Sequence, residues 1–504
     1  MVSKTNLPNF SETKLPIFGR RHVQCLLLFC GLSTIYGMRA NLSVAIVAMM
    51  DKNTTNPDFP EYKWSEQTKS KVLSSFFCGY ICTQLPAGGW ARRFGGKVML
   101  MFTVTSSSIL SILTPLGVSI GDWQLLCALR FLQGFGQGAT IPAMATILAK
   151  WSPVEERSSL ATYVFSGAQF GTVIMLASSG ALASSSLGWP SIFYIPGGLG
   201  LFWILIWLFY GASSPSDCKV ISEAELSYIE MSLSKHAKRE DHEMPNKVPW
   251  CKILTSAPFL ALLVTHCGHT WTFWTLLTQI PSYMKSVLGK DIKSNALLSS
   301  LPYLSMVILG LVCCPFVNAL EKSKLISTTV SRKIFNTIGQ WIPVITFIWL
   351  GYVNAEQSDL AVALLTVTVS LSAITHFGWQ VNHIDLSPHF TGTLVGMSNT
   401  MANVMSIIAP LVVGYIVIDP TNPVQWRVIF FIAGGFNFVG NLLFITFGTA
   451  KVQPWHGEEL KVHELKPLNE DLVTVKVTQE EKEEKEREEE EAGLKQLLQL
   501  DNKT

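Results

Sequence analysis

Apolar and polar residues alternate along the 504-residue chain on a long scale, with twelve apolar stretches separated by polar joints. The stretches fall at 22–50, 71–91, 98–117, 123–149, 159–183, 190–211, 255–284, 295–319, 332–352, 359–383, 391–418 and 427–449. A helix rises about 1.5 Å per residue and the hydrocarbon core is about 30 Å thick, so roughly 20 apolar residues cross it. In lipid, runs of this length satisfy their own backbone hydrogen bonds only as helices. The pattern therefore predicts an all-α polytopic membrane protein. The first stretch is too long for a secretory leader, and no small-residue cleavage site closes it.

All joints but one are short. Residues 212–254 divide the spans into six and six, and contain Ser222-Glu-Ala-Glu225. In this pattern Ser and Glu cap each other's orphan backbone N–H groups at a helix start. Leu226, Ile229 and Leu233 follow at helical spacing, so the joint is expected to hold a short amphipathic helix lying against one membrane face. The expected organisation is an N-terminal segment 1–21, a six-helix half 22–211, a linker 212–254, a second six-helix half 255–449 and a charged tail 450–504.

Charge sharpens this picture. Only 15% of residues are charged and 48% are hydrophobic, whereas soluble proteins carry roughly 25% charged residues. Residues 451–504 hold 15 acidic and 9 basic residues against 21 and 29 in the body, so the net +2 conceals +8 in the body and −6 in the tail. A soluble enzyme, a nucleic-acid binder and a fibrous protein are thereby disfavoured. The run Glu480 to Glu491 reads as a solvated low-complexity segment. The alternative is a charge-paired helix followed by Leu494, Leu497, Leu498 and Leu500, which would dock a partner. Eight of ten cysteines lie in apolar stretches, and no disulfide framework is visible.

Lys and Arg number nineteen in the joints on the N-terminal side and eight in the others. By the positive-inside rule both termini and the linker are expected to be cytoplasmic. Asn53-Thr-Thr55 then falls in the first external loop as a glycosylation sequon, while Asn41 and Asn502 are sequons by pattern only.

The candidate chemistry lies where charge is expensive. Arg39 in the first span and Arg130 in the fourth are ionisable groups within the apolar stretches, and such groups mark functional sites by default. Snorkelling to the interface is the competing reading. No Asp or Glu lies deep in any span to pair with them. Two cations without a counter-ion predict a positive cavity that takes an anion, and guanidinium matches carboxylate and phosphate with paired hydrogen bonds. Tyr80 could present a hydroxyl to that anion. His266 and His269 in the seventh span, His376 in the tenth, and His383 and Asp385 at its end are candidate proton carriers; a hydrogen-bonded structural histidine is the plainer alternative. Gly134, Gly136 and Gly138, with Gly167 and Gly171, are spaced for close helix packing or for sliding.

These residues carry a family resemblance. Gly88-Gly-Trp-Ala-Arg-Arg-Phe-Gly-Gly-Lys97, with two six-helix halves and a linker helix, resembles the major facilitator superfamily. Arg130-Phe-Leu-Gln-Gly134, Ile141-Pro142-Ala143 and Trp151-Ser-Pro-Val-Glu-Glu-Arg-Ser158 resemble its anion:cation symporter branch. That branch holds inorganic phosphate cotransporters, sialin and vesicular glutamate transporters. Trp271-Thr-Phe273, Ser327-Thr-Thr-Val-Ser-Arg-Lys333, Val381-Asn-His-Ile-Asp385, Gly396-Met-Ser-Asn399 and Gln453-Pro-Trp455 extend the match over about 20–455, and the pattern is most similar to insect phosphate cotransporters. The resemblance implies that Arg39 and Arg130 bind the substrate anion with Tyr80 beside them.

Departures from the family pattern are equally informative. The fourth-span glutamate linked to proton coupling is Gln137, the second-span histidine of vesicular glutamate transporters is Leu73, and their seventh-span arginine position holds His269, which is therefore expected among the substrate-binding residues. The loop motif has Arg92 where an aspartate is usual, so Arg92 and Arg93 are expected to latch onto Asp385, Glu155, Glu156 and Arg157.

Together these features predict a secondary active transporter moving an anion, inorganic phosphate or a small organic anion, with a cation. An anion entering a negative-inside cell needs opposing charge, about 2.3 kcal/mol per unit charge per 100 mV. Gln137 favours Na+ over H+ as that cation. The rival within the class is a proton-coupled organic-anion transporter of lysosomes or vesicles; rivals of another class are an anion channel and a non-transporting sensor. The lipid bilayer and a small anion are the expected partners, the plasma membrane the expected location, and neither a cofactor, a resident metal, a nucleic acid nor a catalytic residue is expected.

Overall fold

The computed structural model describes residues 18–51, 56–218, 220–240, 248–323 and 325–456, and among these every regular element is helical. Asn53 of the external sequon and the tail from 457 lie outside the described residues. The first six spans comprise α1 (Arg20–Met49), α2 (Glu66–Phe94), α3 (Gly96–Gln137), α4 (Thr140–Trp151), α5 (Arg157–Ala183) and α6 (Ser191–Tyr210). The long joint holds α7 (Glu223–Glu240) and α8 (Trp250–Leu254). The last six spans comprise α9 (Ala257–Ser286), α10 (Ile292–Ser323), α11 (Thr328–Leu350), α12 (Ser358–Ser372), α13 (Trp379–Leu386), α14 (Thr391–Ile416) and α15 (Pro423–Phe447).

Eight described stretches are long and apolar enough to cross a membrane on length and composition alone. One of them, Gly96–Trp151, makes two crossings. Gly121 (φ −126°) and Asp122 (φ 46°) leave helical geometry inside α3. Gly136 lies against Ser106 and Gly117 against Leu129, a pairing symmetric about that joint, as a reversal of direction requires. Three further spans, α2, α9 and α11, fall short of the threshold because their middles are polar. Ser74 and Tyr80 in α2, His266 and Thr265 in α9, and Asn336 and Gln340 in α11 are all buried inside the bundle. With these the count is twelve.

Two spans are less regular than their apolar runs predict. The fourth breaks at Gly138–Ala139 and restarts as α4. The tenth, expected as one helix over 359–383, is instead α12, a 3-10 turn (Ala373–Phe377) and α13, hinged at Gly378 (φ −98°, ψ −107°). A Cβ at Gly378 would lie 2.8 Å from that of Asn336 and 3.0 Å from its backbone nitrogen. The break therefore lets the tenth span press directly on α11.

The linker helix starts where its pattern predicts, with the Glu225 N–H donating to the Ser222 hydroxyl at 3.3 Å. The return arm of the expected capping box is absent. The Glu225 carboxylate instead accepts from the backbone N–H groups of Arg20 (2.9 Å) and Arg21 (3.0 Å), and from the Arg21 guanidinium at 3.1 Å. It thus caps α1 from two hundred residues away, where orphan N–H groups and the helix dipole favour an anion. Glycine at position 19 is required for this approach, since a Cβ there would lie 2.2 Å from a Glu225 oxygen. Ile229, fully buried, and the Ser232 hydroxyl, which accepts from the Val154 N–H at 2.9 Å, hold the rest of α7 against the first six spans.

The two sets of spans meet through α1 on α9, α2 on α14 and α5 on α10. The closest cross-contacts lie toward the end of the bundle opposite the linker. There Lys285 pairs with Asp51 at 2.5 Å, and a Cβ on Gly414 would lie 2.3 Å from the Ser70 hydroxyl. Ser74 donates to the Ile407 carbonyl at 3.0 Å. At the linker end, Gly88 and Gly89 of α2 and Gly392 and Gly396 of α14 face open space. Among the described residues, contact between the two sets is therefore tighter on the far side than at the linker end.

Replacing Glu225 by Ala strands two backbone donors and removes one of the carboxylates on buried Arg21. The expected loss is about 2–4 kcal/mol, seen as a lowered Tm of the detergent-purified protein. Ser222→Ala, an exposed cap, should cost about 0.5–1 kcal/mol.

Candidate functional site

Arg39 and Arg130 converge on one cavity at the contact of α1, α2, α3 and α9. It is narrow, about 20 Å³, and is lined also by Ser43, Phe76, Trp274 and Thr278. The two guanidiniums are held in different ways, and both ways leave them without a carboxylate partner.

Arg130 is 3% exposed. Its terminal nitrogens donate to the Met38 carbonyl (3.1 Å), the Gln133 side-chain oxygen (2.6 Å) and the Asn41 side-chain oxygen (3.2 Å). All three acceptors are neutral, and the Nε–H is buried with no partner. Asn41 is fully buried and also donates to the Ile192 carbonyl at 3.1 Å, so this sequon by pattern serves as an arginine ligand. Snorkelling, the competing reading for Arg130, does not occur.

Arg39 sits in an aromatic cage. Its guanidinium lies 4.5 Å from the Tyr36 ring centroid, 4.8 Å from Tyr80, 5.0 Å from Phe76 and 5.8 Å from Trp274. Ring faces attract a desolvated cation without neutralising it. Its hydrogen bonds are two long ones, from Nε and Nη2 to the Gln137 side-chain oxygen, both 3.3 Å. Gln137 is fully buried and its amide nitrogen has no partner. The expected neighbour Tyr80 therefore does adjoin Arg39, and so does Gln137, whose position beside it the sequence did not indicate. The cage residues Tyr36, Phe76 and Trp274 and the Arg130 ligands Asn41 and Gln133 escaped sequence reading. A faint signal exists, because Tyr36 precedes Arg39 by three, Gln133 follows Arg130 by three and Phe76 precedes Tyr80 by four, spacings that share a helix face.

Glycines set this geometry. A Cβ on Gly134 would lie 1.8 Å from the Phe76 carbonyl oxygen, and one on Gly79 would lie 1.9 Å from that of Phe131. Backbone contact between α2 and the fourth span is what brings Phe76 and Tyr80 over Arg39. On α5, Gly171 meets the Ser33 carbonyl in the same way, with 1.9 Å to a Cβ.

His269 lies elsewhere. It lines a second cavity of about 20 Å³ inside the last six spans, with Thr272, Tyr303, Ser372 and Asn437. Helix α9 separates the two cavities, presenting Trp274 and Thr278 to one and Thr272 and Phe273 to the other. His383 bonds to Ser398 at 2.8 Å and His376 to Gln380, the hydrogen-bonded role weighed against proton transfer, whereas His266 stacks on Trp379 at 4.2 Å and its buried Nδ1 has no partner.

Among the described side chains, Asp385 and Glu156 of the expected latch are paired with other arginines than Arg93. Asp385 pairs with Arg332 at 2.8 Å, and Arg332 also holds Glu321 at 2.5 Å. Glu156 pairs with Arg21 at 2.8 Å and Glu155 accepts from Ser232 at 2.6 Å. Arg93 and Arg157 are exposed, and Arg93 lies over the Phe94 ring at 5.5 Å; the side chain of Arg92 lies outside the described residues. Glu156 and Asp385 are neutralised within their own set of spans by Arg21 and Arg332, two buried arginines that a sequence count treats only as topogenic charge.

Gly134→Val should separate α2 from the fourth span and abolish recovery of folded protein, whereas Gly89→Ala, facing open space, should leave both the yield and the Tm within about 0.5 kcal/mol of the parent. Size-exclusion profiles and thermal melts of the two variants check this.

Comparison with known proteins agrees with this architecture and narrows it. Residues 28–410 match the Major Facilitator Superfamily. The xylose transporter XylE of E. coli, in its inward-open conformation, superposes with a TM-score of 0.66 at 14% identity, covering 85% of this chain and 96% of that one. A bacterial homologue of the human lysosomal transporter Spinster gives 0.63 at 14% identity over 85% and 98%; at this identity both report the fold alone. A Drosophila melanogaster protein described as a "putative inorganic phosphate cotransporter" is 36% identical over 91% of this chain and 90% of its own. Human sialin is 36% identical over 86% and 90%, and vesicular glutamate transporter 1 of Xenopus tropicalis 32% over 86% and 76%. The chain is a membrane transporter of the Major Facilitator Superfamily, in the family that contains the inorganic phosphate cotransporters, sialin and the vesicular glutamate transporters.

Proposed function

We propose that the protein is a secondary active transporter that binds a small anion between Arg39 and Arg130 and carries it with Na+ by alternating access. The observation that carries this reading is the shared cavity whose two formal charges are both positive. In a low-dielectric interior, an anion would supply the missing counter-charge and meet an unpartnered Arg130 Nε–H. Relatives named for phosphate, sialic acid and glutamate support the same class.

Transport then follows from the packing. With contact between the sets tighter on the far side than at the linker end, rocking the two sets of spans about the cavity would expose it to the other face. Arg21 and Arg332 keep Glu156 and Asp385 within their own sets, so rocking breaks neither network. Lysine and arginine distribution supports cytoplasmic termini and, with them, an inward-open arrangement; the plasma membrane is the proposed location. Gln137 cannot carry a proton, which favours Na+ as the co-ion.

The test is uptake of radiolabelled phosphate, urate, glutamate and sialic acid into proteoliposomes, each with Na+ or choline and with or without a pH gradient. One anion should accumulate with Na+ and not with choline. Undiminished uptake in choline with an acid gradient would replace Na+ by H+; conductance without saturation would make the protein a channel. Arg39→Ala and Arg130→Ala should each lower uptake kcat/KM at least 100-fold, about 2.7 kcal/mol.

Gln137→Glu would place a carboxylate where the amide oxygen now lies 3.3 Å from two Arg39 nitrogens. The ionised side chain competes with the substrate, so KM should rise about tenfold at pH 7.5. Protonation removes the competitor, so KM should fall back as pH drops; a KM indifferent to pH in this variant would contradict an anion bound at Arg39.

A further inference from the structure

The second cavity, inside the last six spans, has no carboxylate, arginine or lysine in its lining. Thr272, Tyr303, Thr368, Ser372 and Asn437 bring side-chain oxygens to it among His269 and apolar neighbours such as Phe273 and Leu276, and Gly339 and Val369 also border it. Two breaks in the helical ladder lie on its wall. Pro343 has no N–H, so the Gly339 carbonyl four residues earlier loses its helical partner. At the end of α12 the Ala373 N–H donates to the Ser370 and Leu371 carbonyls, which releases the Val369 carbonyl from the regular ladder. Glycine 339 lines the cavity with backbone alone, and a side chain there would meet Thr375 at 2.5 Å.

The hydroxyls are oriented by their own donations. Thr368 gives its proton to the Leu364 carbonyl at 2.7 Å or shares it with Thr346 at 2.6 Å, and Ser372 donates to the Val369 carbonyl at 2.6 Å. Thr272 donates to the Asn437 side-chain oxygen at 3.2 Å. A hydroxyl that has donated offers lone pairs on its remaining side. Tyr303 is almost fully buried, and its hydroxyl has no protein partner.

The geometry points to this cavity as the binding site of the co-transported Na+, held by the neutral oxygens of Thr272, Thr368, Ser372 and Tyr303 and the released carbonyls of Gly339 and Val369. Broken spans whose unwound carbonyls face a cavity are where transporters hold such ions. A lining without carboxylates suits a monovalent cation, since Ca2+ and Mg2+ sites draw on carboxylate oxygens. Coupling has a physical carrier in α9, which forms a wall of both cavities. The anion across that helix supplies the counter-charge. This site rests on the Na+-coupled reading above and adds the place where the ion sits.

The test uses the full chain in proteoliposomes and measures initial anion uptake against external Na+, together with the Na+-dependent rise in Tm of the purified protein. Ser372→Ala and Thr368→Val should raise the half-saturating Na+ concentration at least fivefold, with anion KM at saturating Na+ within twofold of the parent. Both should lose the thermal shift, and Thr368→Ser, which restores an oxygen, should regain it. Tyr303→Phe removes a single oxygen and keeps the ring, so it remains informative where the others fail to fold; its Na+ requirement should also rise. An unchanged half-saturation in folded variants of a Na+-dependent parent overturns the site while leaving Na+ coupling standing. A parent whose uptake and Tm ignore Na+ overturns both.

Discussion

Two guanidiniums held in a membrane-embedded bundle without a carboxylate constrain much of the rest of the structure. A buried charge in lipid costs a few kcal/mol even on lenient scales, and Arg130 meets that cost with three neutral acceptors, one of them the α1 backbone itself. Arg39 meets it with ring faces and one amide oxygen. Each solution demands close helices. Glycines 79 and 134 exist to bring α2 backbone to backbone with the fourth span, because any wider spacing would lift Phe76 and Tyr80 off the Arg39 guanidinium.

Elsewhere the opposite rule holds, and buried charges are matched. Arg21 lies between Glu156 and Glu225, and Arg332 between Glu321 and Asp385. Both networks sit at the linker end, one in each set of spans, where they tie helix ends together. Glu225 also makes α7 part of the first set, since it satisfies the opening N–H groups of α1. The contrast between neutralised arginines at the ends and unneutralised ones at the centre separates structural charge from charge left free for a substrate.

The middle helix of this design is α9. It carries a polar sequence that would make a poor span in isolation, yet its polarity is divided between two cavities on its two sides. One cavity is cationic and the other has neutral side-chain oxygens among apolar neighbours. A helix that borders both is placed to register the occupancy of each, which is the physical requirement for coupling two solutes.

The twelve spans, the long joint and the lone Arg39 and Arg130 were legible in the chain, because the length of an apolar run and the cost of a charge within it are local properties. Gln137 was likewise legible as a missing carboxylate in the fourth span, although its contact with Arg39 was not. The partners of the charges were not. Asp385 chooses Arg332, Glu156 chooses Arg21, and Glu225 abandons its own helix for α1; each choice joins residues tens to hundreds of positions apart and depends on which helix ends meet. The hinge at Gly378 and the separation of His269 from the arginines were hidden for the same reason. Hydropathy reports that a segment enters the membrane, whereas the rotation of each helix about its axis, which decides what each polar side chain faces, is set only when the helices pack.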